Sequence, residues 1–420
     1  NSIAEDPTSQ IAAGDISSIA NAVGDAVDVF AFDISDLGST GDGQTTQVSQ
    51  ITIQQHSGSV NIGDILAGAQ LKNGGTAISM SSVTINESDI VFEIDGTFDV
   101  ANGSSEEIVL SVWLNSSAIT DNSTIRFHIT QTSHGFTADS GGSTFDTDFG
   151  AAVTGNTMTI RVVATKLIFE TDKPPAVVAN NETFTVEVLA VDANDNLDVD
   201  ETCSATIERG NVGTGTLEAS GSPTLTNQSL ISGSFEWNNV LYTTAENFNI
   251  YASCASLEGT SSTIQSLAPP GEFAITAPLD SYNCSGNVTI SWEASSGADS
   301  YDLYWCTGAS CDPLGGTQVV GVSSGMTFNA SESDEVYTFL IVAKNTAGNT
   351  NSSNNGTHNT YDNNANYSTW TGNTSTNWAT AGNWCGSVPS STIDIYVPAN
   401  ATRFPTLSAA SSVRNIYIES

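Results

Sequence analysis

Residues 337–348 read Tyr-Thr-Phe-Leu-Ile-Val-Ala-Lys-Asn-Thr-Ala-Gly, an apolar run of strand length that ends in turn-forming residues. Similar runs recur along the chain, separated by Gly, Asn, Asp and Ser. No convincing amphipathic helical run exceeds about three turns, so alternation with a period of two dominates. The chain has 420 residues, which is too many for one ordinary core. The sequence therefore predicts an all-β protein made of tandem β-sandwich domains.

The strand-like runs fall into four regions: 1–165, 166–268, 272–362 and 363–420. The first is predicted to be a β-sandwich, and the second has the size and strand spacing of an immunoglobulin-like sandwich. Pro269-Pro270-Gly271 marks a stiff linker before the third region. The fourth region ends inside an alternating pattern, residues 415–420, so we expect this module to be truncated.

The third region carries the most specific resemblance in the chain. Its quoted runs are Val288-Thr-Ile-Ser-Trp292, Tyr301-Asp-Leu-Tyr-Trp305 and residues 337–348, with Trp on the second strand and alternating Tyr and Leu on the third. Over about 90 residues this pattern resembles a fibronectin type III domain. The resemblance implies a spacer or presentation module and no chemistry.

The fourth region begins with Trp-Thr-Gly at residues 370–372 and continues with Gly-Asn-Trp-Cys-Gly at 382–386. Together with the later alternating runs, it resembles the opening of a β-solenoid-like module. Such modules recur in giant proteins that gliding and marine bacteria secrete by the type IX route. Residues 42–46, 164–169 and 190–194 are similar to phrases typical of that group. The chain as a whole thus resembles multi-domain secreted surface adhesins.

The charge balance narrows the range of partners. Nine Lys and Arg stand against 46 Asp and Glu, a formal net charge of −37. Such a surface repels nucleic acid and anionic lipid and attracts divalent cations. No apolar run approaches the roughly 20 residues that span a bilayer, so membrane insertion is not expected. An even number of cysteines, six in all, indicates an oxidising, extracellular setting.

Two disulfides are predicted from position in the chain. Cys306 and Cys311 flank a short turn, and Cys203 and Cys254 share one predicted domain. Cys284 and Cys385 are left over. They either join neighbouring modules, pair with another chain or stay free.

One acidic stretch is a candidate calcium site, because calcium takes six to eight oxygen ligands. Its predicted ligands lie between two strands: Asp192, Asn194, Asp195, Asn196, Asp198, Asp200 and Glu201. The alternative is an ordinary acidic hairpin, in which Asp and Asn serve turn geometry. Residues 139–148 form a weaker candidate of the same kind. Calcium, as a structural ion, is the one cofactor that the sequence predicts.

Two further features concern glycans. Trp370, Trp378 and Trp384 could stack on sugar rings, and the alternative is a core that caps a β-module. Asparagine sequons, which are glycosylation sites in some secreted proteins, occur at Asn86, Asn102, Asn115, Asn122, Asn181, Asn227, Asn283, Asn287, Asn329, Asn351, Asn355, Asn366, Asn373 and Asn400.

These observations predict a non-enzymatic segment of a large extracellular adhesin or fibre at the cell surface. The expected partners are copies of the chain, neighbouring modules of the same giant chain, or surface glycans. One alternative is a surface filament or surface-layer subunit, in which residues 1–21 complete a neighbour's sheet. Another is a set of accessory modules of a secreted polysaccharide-degrading enzyme.

Overall fold

The computed structural model describes residues 2–36, 43–130, 137–138, 142–143, 152–284, 286–308, 310–332, 335–361, 366–399 and 401–419. These residues form strands almost throughout, which confirms the all-β prediction of tandem sandwiches. The chain forms two compact units. Unit 1 comprises Asn1–Ala176, Thr183–Leu241 and Asn247–Ile264. Unit 2 comprises Val177–Glu182, Tyr242–Glu246 and Gln265–Ser420.

The N-terminal sandwich of unit 1 contains β1 (Ser2–Glu5), β2 (Gly14–Ser17), β3 (Val27–Asp36), β4 (Thr46–Gln55), α1 (Ile62–Ile65), β5 (Leu66–Asn73), β6 (Thr76–Ala77), β7 (Met80–Ile85), β8 (Asp89–Val100), β9 (Ser105–Leu114), β10 (Thr124–Ile125), β11 (Phe127–Ile129), β12 (Thr137–Ala138), β13 (Val153–Thr154) and β14 (Met158–Arg161). Its antiparallel sheets have the orders β1-β3-β9-β5-β6 and β13-β11-β4-β8-β7, with β12 also on β4. A small sheet, β10-β14-β2, includes a parallel pair between β2 and β14.

Alternating side chains build the core of this sandwich. Val48, Ile51 and Ile53 of β4 are fully buried, although the step from 48 to 51 breaks the period of two. A bulge between Val48 and Gln50 shifts the register against β8 and restores the inward direction. Burying each such side chain contributes roughly 1.5–3 kcal/mol.

The N-terminal stretch, which the filament alternative treats as a donated arm, completes the sheets of its own sandwich. Strand β1 pairs antiparallel with β3, and β2 pairs in parallel with β14. Ile16 is fully buried, and Ala4 is almost so. Donation to a neighbour would first require detaching both strands.

The second sandwich contains β15 (Lys166–Phe169), β16 (Val177–Ala179), β17 (Phe184–Val191), β18 (Ser204–Arg209), β19 (Leu217–Ala219), β20 (Gln228–Ser229), β21 (Ser234–Tyr242), β22 (Asn247–Phe248), β23 (Ile250–Cys254), β24 (Leu257–Thr260) and β25 (Ile264–Leu267). Its four-stranded sheets are β15-β17-β21-β19 and β20-β18-β23-β24, and β16 pairs in parallel with β25. The predicted disulfide joins Cys203, just before β18, to Cys254 at the end of β23.

The third sandwich, within unit 2, contains β26 (Ile275–Ala277), β27 (Ser281–Asn283), β28 (Asn287–Trp292), β29 (Ser300–Thr307), β30 (Thr317–Val319), β31 (Met326–Asn329), β32 (Val336–Asn345), β33 (Gly348–Asn351) and β34 (Gly356–Thr360). Its sheets, β26-β28-β31 and β27-β34-β32-β29-β30, have the strand order of a fibronectin type III sandwich. The second predicted disulfide, Cys306–Cys311, lies at the end of β29.

The last module contains β35 (Tyr367–Trp370), β36 (Trp384–Cys385), β37 (Asp394–Val397) and β38 (Asn415–Ile418), in the order β36-β35-β37-β38. Strands β35, β37 and β38 are parallel. A solenoid remains a prediction, because four strands do not establish a repeating coil. Short 3₁₀ turns at Val23–Asp25, Pro313–Gly315 and Ala381–Asn383 complete the secondary structure of the described residues. Among those residues no helix is long and apolar enough to cross a bilayer.

A tyrosine near the start of β32 supports a prediction. The Tyr337 hydroxyl accepts a hydrogen bond from the backbone N–H of Glu332 at 2.9 Å, as in a tyrosine corner. Replacing Tyr337 with Phe removes this bond and is expected to cost about 1 kcal/mol. Hydrogen exchange of the β32 amides in the full chain measures the loss. Tyr304→Phe on β29 is the control, and equal effects of the two changes would contradict the assigned role.

Candidate functional site: an acidic joint within unit 1

The acidic loop between β17 and β18 contacts the N-terminal sandwich. We call this region the acidic joint. Its members from the loop are Asp192, Asn196, Asp198 and Asp200, and its members before the loop are Ser18, Ser116, Ile119, Asp121, Arg161 and Ala164. All lie in unit 1.

Asp192 is the centre of the joint and is fully buried. Its Oδ1 accepts the backbone N–H groups of Asn194 at 2.8 Å and Asn196 at 3.0 Å. Its Oδ2 accepts the Ser18 hydroxyl at 2.6 Å and the Asn196 side-chain amide at 3.0 Å. Ser18 belongs to the N-terminal sandwich, so this one carboxylate both closes its own loop and holds the neighbouring domain.

Asn196 makes the second link between the sandwiches. Its Oδ1 accepts the backbone N–H of Ile119 at 3.0 Å, and its Nδ2 donates to the carbonyl of Ser116 at 3.1 Å. The residue is only 4 % exposed. Because Nδ2 also donates to Asp192, the amide orientation is fixed by partners on both sides.

Asp121 and Asp198 make reciprocal contacts. Asp121 accepts the N–H of Val162 at 2.8 Å and, across the joint, the N–H of Val199 at 3.2 Å. Asp198 accepts the N–H of Ala164 at 2.8 Å. Both carboxylates are buried. Each sandwich therefore supplies a carboxylate that caps backbone N–H groups of the other sandwich or of the connection between them.

Hydrogen bonding decides the ionisation of Asp192. Burial by itself raises the pKa of a carboxyl group. The bonds from Ser18, from the Asn196 side chain and from two backbone N–H groups outweigh burial, and the pKa of Asp192 lies below its usual value. The joint therefore holds an ionised carboxylate at neutral pH.

The rim of the joint carries exposed ion pairs. Arg161 Nη1 lies 2.8 Å from Asp200 Oδ2, and Lys166 Nζ lies 2.7 Å from Asp195 Oδ1. Side chains in such pairs remain accessible to water, and each pair contributes roughly 0–1 kcal/mol. The buried hydrogen bonds, not the rim, carry the specificity of the contact.

Two backbone positions shape the loop. Asp195 has a φ of 67°, a left-handed conformation that Asp and Asn tolerate better than most residues. Gly233 has a φ of 78°, and a Cβ at this position would collide with the Asp198 carbonyl. The loop packs against β21 at that point only because the glycine lacks a side chain.

The seven predicted calcium ligands are thus close in sequence but directed to different partners. The Glu201 carboxylate accepts the N–H groups of Thr202 and Cys203 at 2.9 Å and 2.8 Å. Within the described residues, no three His, Cys, Asp or Glu side chains are placed to hold a metal ion. Calcium remains a prediction, and an ion would have to compete with these donors. The weaker candidate at 139–148 lies almost wholly outside the described residues.

The three candidate tryptophans form a core, which corrects the glycan-stacking interpretation. Trp370, Trp378 and Trp384 are 0 %, 6 % and 5 % exposed. The ring of Trp384 meets the other two edge to face, with centroids 4.9 Å and 4.8 Å away. Because all three rings are almost fully buried, they present no face to a sugar. The alternative, a core for the β-module, describes them.

The two remaining cysteines form a third disulfide. Cys284 of the third sandwich bonds to Cys385 of the last module, with 5.1 Å between the Cα atoms. Both belong to unit 2. Of the possibilities left open by the sequence, the bond between neighbouring modules is the one found.

The sequons lie mainly on the surface. Eleven of the fourteen asparagines are exposed, Asn115 is half-buried, and the side chains of Asn283 and Asn400 are outside the described set. Asn122, Asn181 and Asn227 also adopt positive φ, so turn geometry alone explains an asparagine there. Glycosylation remains a prediction.

Sequence comparison identifies no relative: no family model matches the chain, and no curated protein does. Structural similarities exist to the FN1–FN3 domains of chicken CNTN1 (11 % identity, 80 % of this chain and 95 % of that chain, TM-score 0.33). Titin domains A168–A170 are also similar (13 % identity, 69 % of this chain and 86 % of that chain, TM-score 0.27). So are domains 4 and 5 of the S-layer protein SbsC (13 % identity, 47 % of this chain and 99 % of that chain, TM-score 0.20). These TM-scores are too low to establish a shared domain arrangement.

The joint leads to a mutational prediction. In Asp192→Asn, an NH₂ group replaces an oxygen that accepts buried donors, and we expect a loss of about 1–3 kcal/mol. Hydrogen exchange at residues 115–121 and 192–203 reports this loss locally. Asp195→Asn makes the same chemical change at an exposed ion pair and should cost at most about 1 kcal/mol. Indistinguishable exchange in the two variants would contradict the central role of Asp192.

A pH dependence follows from the same carboxylate. The pKa of Asp192 in the folded chain lies below its unfolded value of about 3.9. Its contribution to stability is therefore complete above that value and disappears as pH falls through the folded pKa. Exchange at the joint should differ between the wild type and Asp192→Asn at pH 7. That difference should shrink below about pH 4, and a constant gap would contradict the assignment.

Proposed function

We propose that this chain is a non-enzymatic, extracellular spacer, a segment of a cell-surface adhesin or fibre. Its function is to hold successive β-sandwiches in fixed orientations and to present what lies beyond them. The observation that carries the proposal is the acidic joint, where buried polar groups connect two sandwiches whose sheets are otherwise separate.

The hydrogen bonds of the acidic joint are suited to fixing the angle between the two sandwiches. Apolar contacts are not directional and tolerate sliding. Hydrogen bonds have preferred angles, and a buried donor that loses its partner costs about 1–3 kcal/mol. Asp192, Asn196 and Asp121 each span the joint, so a change in the angle between the sandwiches would leave several donors unpaired at once.

Disulfides support an extracellular location. All six cysteines are paired: Cys203 with Cys254, Cys284 with Cys385, and Cys306 with Cys311. Disulfides persist in oxidising compartments and are rare in the cytosol. The bond between Cys284 and Cys385 crosses from one module to the next, which suits a chain that carries tension. The partners we propose are further modules of the same polypeptide or copies of it.

The proposal predicts limited motion between the two sandwiches of unit 1. Spin labels can be attached through non-natural amino acids at residues 82 and 218, which are both exposed and lie one in each sandwich. Pulsed electron resonance on the full chain then gives the distance distribution. We expect one narrow distribution for the wild type. The double change Asp121→Asn and Asp192→Asn should broaden it, because donors on both sides of the joint lose their acceptors.

Asp195→Asn is the matched control and should leave the distribution narrow, since its ion pair is exposed. A broad distribution in the wild type would show that the sandwiches move freely, and the spacer would then not be rigid. A narrow one in the double variant would show that contacts other than the acidic joint set the orientation.

A further inference from the structure

Unit 2 contains a cavity of about 440 Å³ that the spacer function does not use. Strands of the third sandwich and of the last module both contribute to its wall. The residues important here are Tyr282, Glu335, Tyr361, Tyr367, Tyr396 and Glu419. Volumes of roughly 300–1,000 Å³ are usual for small-ligand pockets.

Ring contacts and hydrogen bonds fix part of this wall. The rings of Tyr282 and Tyr361 stack with centroids 5.5 Å apart and an interplanar angle of 27°. The Tyr396 hydroxyl donates to Glu419 at 2.6 Å, and the backbone N–H of Ala399 donates to the same oxygen at 3.2 Å. One tyrosine pair and one carboxylate are thus held in place by contacts within the chain.

A disulfide joins the two modules close to residues that line the cavity. Cys284 lies two residues after Tyr282, and its partner Cys385 is paired across the sheet with Thr369, which also lines the cavity. The covalent bond therefore ties together the two modules whose residues form the wall. A wall held in this way loses little conformational entropy when a ligand binds.

The cavity is electronegative. Glu335 and Glu419 line it, and no Lys, Arg or His is among its described lining residues. Burial, followed by the proximity of Tyr282 and Glu419, raises the pKa of Tyr361 to about 12. Burial and the Glu419 carboxylate also raise the pKa of Tyr396. Tyr361 and Tyr396 therefore stay neutral at physiological pH, and the wall includes two carboxylates.

We propose that this cavity binds an alkylammonium group, the chemistry shared by choline and a lysine side chain. Aromatic faces attract cations through the ring quadrupole, and tyrosine is among the side chains that do so. The two carboxylates add Coulomb attraction within a partly enclosed space. A neutral sugar would gain hydrogen bonds from the phenols but nothing from the uncompensated negative charge. An anion would be repelled.

The first experiment compares ligands on the full chain by calorimetry. Choline and Nα-acetyl-lysine amide, whose ε-ammonium group is free, should bind saturably. Comparing their affinities shows whether a choline head group or a lysine side chain is the better ligand. The neutral isostere 3,3-dimethyl-1-butanol should bind about ten-fold more weakly or not at all, because it keeps the shape and lacks the charge. Raising the salt concentration should weaken the binding of choline.

The second experiment uses variants. Glu335→Gln should weaken choline binding by about five- to ten-fold, because one of the two carboxylates of the wall loses its charge. Glu419→Gln should do the same, but it also replaces the charged acceptor of Tyr396 with a neutral amide oxygen. Glu293→Gln, an exposed site in the third sandwich outside the cavity, is the control and should bind as the wild type does. The unfolding temperature of each variant shows that it is folded.

Methyl glucoside serves as the neutral sugar probe in the first experiment. Three outcomes would overturn the proposal: equal affinity for choline and its neutral isostere, unchanged binding in Glu335→Gln, or the absence of choline binding, with or without binding of methyl glucoside. Binding of methyl glucoside without binding of choline would identify a sugar site. None of them bears on the acidic joint, so the cavity and the spacer function are tested separately.

Discussion

Buried polar groups that find partners in the neighbouring sandwich are the constraint on which unit 1 depends. A buried carboxylate without donors costs several kcal/mol, so Asp192 is compatible with the fold only while Ser18 and Asn196 stay in place. The same requirement works in both directions, because the Ile119 N–H needs the Asn196 oxygen. Each sandwich thus completes the hydrogen bonding of the other, and the relative orientation of the two becomes part of the folded state.

The few basic residues also find their partners within the fold. All nine lie among the described residues, and each one is engaged. Six pair with carboxylates: Lys72, Arg161, Lys166, Lys173, Lys344 and Arg414. Three donate to backbone carbonyls: Arg126, Arg209 and Arg403. A chain with a net charge of −37 therefore uses its cations within the fold. The carboxylates outnumber these cations by 37, so the net charge of the chain is strongly negative.

Sequence patterns predicted the strands well and the side-chain partners poorly. Alternation identified β4, because inward and outward positions differ in polarity along a strand. A continuous apolar run identified β32, whose side chains are buried in succession. The same logic could not foresee the bulge after Val48, since a register shift depends on the partner strand. Position in the chain suggested the disulfides Cys203–Cys254 and Cys306–Cys311, whereas Cys284 and Cys385 are 101 residues apart and left no local signal.

The acidic joint shows why composition alone does not separate a metal site from a hydrogen-bonded loop. A loop rich in Asp and Asn offers oxygen atoms, and oxygen is what both calcium and a backbone N–H require. The sequence does not show which donor or cation each Asp and Asn oxygen faces. In the folded chain, Asp192 receives four donors, as many as a carboxylate can accept with good geometry. Those donors supply the neutralising field that a cation would supply, and Ser18, 174 residues away in the sequence, is one of them. This partner of the carboxylate is therefore distant in sequence, and only the folded structure brings it to the loop.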